Sequence, residues 1–140
     1  MGIATVVHAV GTLVGVVCAL TSAFLMLNLR TDEKRLSRGR IVRRIMPVTW
    51  LAFIALVVSG IVLAVNAGSL NTYMLAAKHV LVVVLLVDAT LIHFRFFPRY
   101  FKSIGTPEFD RTYSVMRKVG ALSVSCWIII LVLSVLLYQF

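Results

Sequence analysis

The sequence predicts an all-α integral membrane protein: a single domain of four transmembrane helices running up and down as a bundle, with both termini on the outside. Three observations carry this. Hydrophobic residues make up 61% of the 140 residues, and the mean hydropathy is +1.01, which sets the chain apart from soluble domains. The apolar residues gather into four stretches, each near the roughly 20 residues that a helix needs to cross hydrocarbon. Apart from Lys78 and Asp88, the charges lie in or beside two of the connections between them.

The first span runs from about Ile3 to Leu29, the second from about Met46 to Asn66, the third from about Tyr73 to Phe97 and the fourth from about Val119 to Tyr138. Backbone groups in lipid must be satisfied internally, and the alternation of barrel strands is absent, so the spans are helices. Pro47 falls where the second helix is expected to start, and Pro98 is expected to end the third. The stretch "RYFKSIGTPEFDRTYSVMRK" suits a short interfacial helix with Phe101, Ile104 and Phe109 against lipid, broken at Gly105 and Pro107.

A net charge of +9 resembles a nucleic-acid signature until the charges are placed. Seven of the fourteen basic residues (Arg30, Lys34, Arg35, Arg38, Arg40, Arg43, Arg44) lie between spans one and two. Six more (Arg95, Arg99, Lys102, Arg111, Arg117, Lys118) lie between or beside spans three and four. The positive-inside rule then puts both basic loops in the cytoplasm and both termini outside; the expected location is the cell's inner (plasma) membrane. Topology and attraction to anionic lipid account for the charge, which argues against a nucleic-acid partner. The first apolar run has no basic leader and is too long for a signal peptide's core, so no cleavage is expected. Cys18 and Cys126 sit singly inside spans and read as packing residues.

Ionisable groups within the spans are the informative ones, since each costs on the order of 2–3 kcal/mol by insertion scales. The segment "MLAAKHVLVVVLLVDATLIHFRFF" carries Lys78, His79, Asp88 and His93. His8 lies a turn or so inside the outer end of span one and His79 similarly in span three. Because the two helices run the same way, both imidazoles belong to the outer half. Two imidazoles facing one another are what a low-spin haem b requires, so His8 and His79 are the predicted axial ligands of the haem iron. On span one, Gly11, Gly15, Ala19 and Ser22 follow His8 at three- and four-residue steps. That stripe offers room for a macrocycle, or else a surface for helix contact.

Lys78 either snorkels outward or pairs with an anion such as a haem propionate. His93 stands fourteen residues after His79 on the same helical face, flanked by Phe94, Arg95 and Phe96. It is expected to be interfacial, with a second site or proton relay as the other reading. Asp88 is about 180° from His79 and calls for a hydroxyl partner, with Ser59, Ser123 and Ser125 as candidates, or serves proton transfer or transport.

The opening "VVHAVGTLVG", the second-span break in "WLAFIALVVSGIVL", and the lysine of "AAKHVLVVVLLV" followed by Arg95 together resemble four-helix membrane proteins of the CopD-like and HemJ-like group. The resemblance covers most of the chain in layout. It implies haem b binding as in protoporphyrinogen oxidases of that type, or copper resistance, with His8 and Lys78 carried over. The chain departs from the oxidases in having His79 directly after the lysine and no tryptophan-rich segment.

The leading expectation is therefore a haem b protein of membrane electron transfer, an oxidoreductase if an enzyme at all, exchanging electrons with a quinone or porphyrin-like molecule. The alternatives are a copper or small-solute transporter using His8, His79 and Met74, and a non-catalytic anchor or assembly subunit. Dimerisation through spans one or four, or assembly with a partner membrane protein, is compatible with a bundle of this size.

Overall fold

A computed structural model describes residues 2–66 and 72–139. Its helices are α1 (Ile3–Leu25), α2 (Asp32–Asn66), α3 (Thr72–Leu91), a π turn at Ile92–Phe96, α4 (Phe97–Ser103) and α5 (Phe109–Gln139), with no strand among the described residues. Four of the helical stretches are long and apolar enough to cross a membrane. Only 17% to 28% of each apolar window is buried within the protein. Side chains such as Leu13, Leu51, Val83 and Val132 point outward from all four, as lipid-facing surfaces do. The expected turn at 67–72 falls almost wholly outside the described residues.

Two helices extend beyond the predicted spans, and in both cases a proline was expected to mark an end. α2 begins at Asp32, where the Thr31 hydroxyl accepts from the Lys34 N–H at 3.3 Å and Asp32 and Glu33 occupy the first turn. These are favourable groups at a helix start. The helix then runs through Pro47, because neighbouring helices can absorb the backbone group a proline frees. The third helix likewise passes Pro98 and continues to Ser103. A proline there would strike the carbonyl of Phe94, four residues earlier. The π turn covers that residue and widens the helix where relief is needed.

α1 packs on α2 and α5, and α3 packs on α5, while α2 and α3 stand apart along their lengths. Two clusters hold this arrangement. The central one joins Val16, Phe53, Leu56, Leu85, Cys126, Trp127 and Ile130. The other lies at the basic end and contains Met26, Leu29, Val42, Phe97, Tyr100, Phe109 and Met116, with Phe101 and Ile104 packed against it. Phe109 is thus a core residue of the basic end, with Phe101 and Ile104 partly buried against it, because α4 prolongs the third helix and packs on α5 and α2. Gly105, at φ +80°, makes the turn between α4 and α5, a conformation that suits glycine.

The basic end also ties down the carbonyls at the end of α1. Arg38 donates to Leu27 O at 2.6 Å, and the Tyr113 hydroxyl donates to Met26 O. The Tyr100 hydroxyl, on a residue with no exposed surface, donates to Arg35 O at 2.8 Å. Tyr100→Phe is expected to lower unfolding stability in detergent by about 1 kcal/mol, the net worth of one such bond. Tyr100→Ala is expected to cost about 3–5 kcal/mol by opening a cavity. Equal effects of the two would show that the ring contributes nothing.

Candidate functional site

His8, Ser59 and Lys78 come from three different helices and meet at the end of the bundle opposite the basic loops. His8 is 3% exposed. Its Nδ1 lies 3.0 Å from Ser59 Oγ, and its Nε2 lies 2.9 Å from Lys78 Nζ. The proton positions follow from the partners. Ser59 donates its own hydroxyl to Ala55 O, so its oxygen accepts from His8 Nδ1–H. A lysine has only donors, so Nε2 of His8 accepts. Thr12 Oγ1 donates to the His8 carbonyl at 2.8 Å. Gly60 leaves room for the ring: a Cβ there would stand 3.3 Å from His8 Cε1.

His8, Lys78 and His79 all line a cleft between α2 and α3 of about 510 Å³, within the range of roughly 300–1,000 Å³ typical of small-molecule sites. Apart from Asn66 the remaining lining is apolar, including Phe53, Leu56, Val82 and Leu86. His79 is exposed, and its Nδ1 lies 2.7 Å from the Leu75 carbonyl of its own helix. A carbonyl can only accept, so Nδ1 carries a proton, and in the neutral ring Nε2 is left as the acceptor. The two histidines therefore have the same tautomer, the one in which Nε2 can bind a metal while Nδ1–H is held by an oxygen. Lys78, only 9% exposed, is turned inward to His8 rather than snorkelling out.

Of the two readings of the stripe, Gly11 and Gly15 fit helix contact. A Cβ at Gly11 would meet Ala52 O of α2 at 3.2 Å, and one at Gly15 would fall 2.2 Å from the Trp127 ring. Neither glycine lines the cleft. The space beside these two glycines is filled by α2 side chain and backbone and by an indole, so this half of the stripe is a packing surface, whereas Ala19 and Ser22 line a second cavity nearer the basic end.

His93 and Asp88 lie apart from this group. His93 is half-buried, sits in the π turn and meets Trp50 edge-on with centroids 6.4 Å apart. It lines that second cavity nearer the basic end. Asp88 is 4% exposed; Ser123 supplies its side-chain hydrogen bond, while Oδ2 has no partner. Of the other candidate hydroxyls, Ser59 serves His8 and Ser125 bonds Ala121 O. Among the described residues the one ion pair is Arg35–Asp32, so no cation depends on Asp88. Asp88→Asn is accordingly expected to change stability by less than about 1 kcal/mol, far below the 3–5 kcal/mol lost when a buried ion pair is broken. A loss of the larger size in thermal unfolding would show that the carboxylate charge is required.

Ser59 and Gly60 were the parts of the His8 environment not assigned to it from sequence. The available signal was the small Ser-Gly break in the second span, which stands at nearly the depth of His8. Among the described residues no group of three or more His, Cys, Asp or Glu side chains is placed to hold a metal ion. No family model, curated protein or solved structure matches the chain.

Proposed function

We propose that this is a multi-pass membrane protein that binds haem b in the α2–α3 cleft, with His8 and His79 as axial ligands, and that it serves membrane redox chemistry. The observation carrying this reading is that two imidazoles of one tautomer, each with Nδ1–H held by an oxygen, line the same lipid-bordered cleft. Two imidazole nitrogens are the donor type haem b takes, and binding would need one rearrangement: Lys78 would leave His8 Nε2 and could then pair with a propionate. Ser59 would keep His8 oriented, and the apolar walls would exclude water and set the potential. Haem supplies one-electron transfer when bound. With the basic loops cytoplasmic, this site belongs to the outer half of the plasma membrane, and a quinone or porphyrin-like molecule is the exchange partner.

The test is an absorption spectrum of the purified protein, oxidised and dithionite-reduced, before and after haem supplementation. A Soret band with split reduced α and β bands is expected; its absence after supplementation sinks the proposal. One observation favours a second reading. Both nitrogens of His8 already have protein partners, as in a structural histidine of a non-catalytic anchor or assembly subunit. Metal analysis of the same sample separates both readings from a copper protein.

A further inference from the structure

Phe53 lines both the α2–α3 cleft and a second cavity of about 290 Å³ toward the basic end, to which all four long helices contribute. This second volume is at the lower limit for small-molecule sites, roughly 300 Å³, so it suits a single ring rather than a tetrapyrrole. Its walls are largely apolar and aromatic, and no Asp or Glu is among them. Its basic side chains are His93 and Arg117, and the indoles of Trp50 and Trp127 add N–H donors. The Arg117 guanidinium is exposed, with Cζ 5.8 Å from the Tyr113 ring centroid, and can only donate. His93 Nδ1 is buried and has no partner, an uncommon state for a buried polar atom. The π turn that holds His93 is a feature frequent at functional sites. The space is open on the α5 side: a Cβ on Gly120 would meet no atom within 4 Å.

A ligand for this cavity must be flat and apolar, must carry acceptor oxygens for His93 and Arg117, and must reach it from the bilayer. We propose that the cavity binds the head group of a membrane quinone, one carbonyl oxygen accepting from His93 and the other directed toward Arg117. The assignment of that quinone as an electron partner rests on the haem reading, whereas its binding does not.

The chain has two tryptophans, and both Trp50 and Trp127 line this cavity, so their emission reports directly on occupancy. Full-length protein in phosphatidylcholine nanodiscs is titrated with decylubiquinone. Saturable quenching is expected. His93→Ala should weaken apparent affinity about fivefold to tenfold, as loss of one hydrogen bond does, and His93→Gln should restore part of it. Gly120→Phe should fill the space and abolish saturation. Wild-type protein with no Soret band but normal quenching refutes the haem reading alone. Linear quenching identical in wild type and Gly120→Phe would overturn the quinone site. Displacement of the quinone by oleate at equal concentration would assign the cavity to an anionic lipid instead and overturn it too.

Discussion

Replacing His8 by alanine is expected to abolish the haem spectrum, or to reduce it to a weak five-coordinate form. Affinity should fall by more than the roughly 10–100-fold typical of losing an outer partner of a ligand. Ser59→Ala should show that smaller loss, because it removes only the acceptor that holds His8 Nδ1–H at 3.0 Å. Lys78→Met should retain the band, since Lys78 occupies His8 Nε2 at 2.9 Å only until a ligand takes that position. His8→Ala also carries a stability cost independent of haem. It leaves Lys78, 9% exposed, facing the place of a missing acceptor, and a buried unsatisfied group costs about 1–3 kcal/mol. The double variant His8→Ala/Lys78→Met should recover that stability without recovering haem. If His8→Ala binds haem with an unchanged spectrum and affinity, the site lies elsewhere.

The sequence made some of this legible and concealed the rest, for definite physical reasons. Span number and type followed from length and hydropathy, because hydrocarbon thickness and backbone hydrogen bonding leave few options. Helix ends were read less well. Pro47 and Pro98 are strong terminators in water, but α2 runs through the first and a π turn makes room for the second. His8 and Lys78 could be placed at similar depth by counting from helix ends. His8 is five residues inside α1 and Lys78 six inside α3, rises of about 7–9 Å. Counting gives depth but not azimuth across helices, so it could not show that Lys78 rather than His79 would reach His8. The same limit applied to the glycine stripe, whose alignment with His8 was visible while the identity of its neighbour was not.

That neighbour sets the largest structural prediction. Gly15→Val is expected to disrupt the contact between α1 and α5. A Cβ at Gly15 would lie 2.2, 2.3 and 2.7 Å from three atoms of the Trp127 ring, well inside contact distance. The indole is hemmed in on the core side, since Trp127 is 2% exposed and packs with Val16, Phe53, Leu56 and Ile130, so it can yield only toward the cavity it lines. Overpacking of this kind costs about 1–3 kcal/mol, occasionally more, and the branched valine should reach or exceed the upper value. Gly11→Ala should be milder, since its Cβ would stand 3.2 Å from Ala52 O and a shift of a few tenths of an ångström relieves it. Thermal unfolding in detergent measures both. Because Trp127 also lines the cavity near the basic end, Gly15→Ala should alter tryptophan emission as well as stability. The companion variant Trp127→Leu decides the cause. If the ring is the obstacle, adding Gly15→Ala to Trp127→Leu should cost much less than adding it to wild type, giving a coupling of about 0.5–3 kcal/mol as for residues in direct contact. Additive effects would mean that glycine is needed at position 15 for another reason, and would reopen the space beside α1 as a place for a ligand.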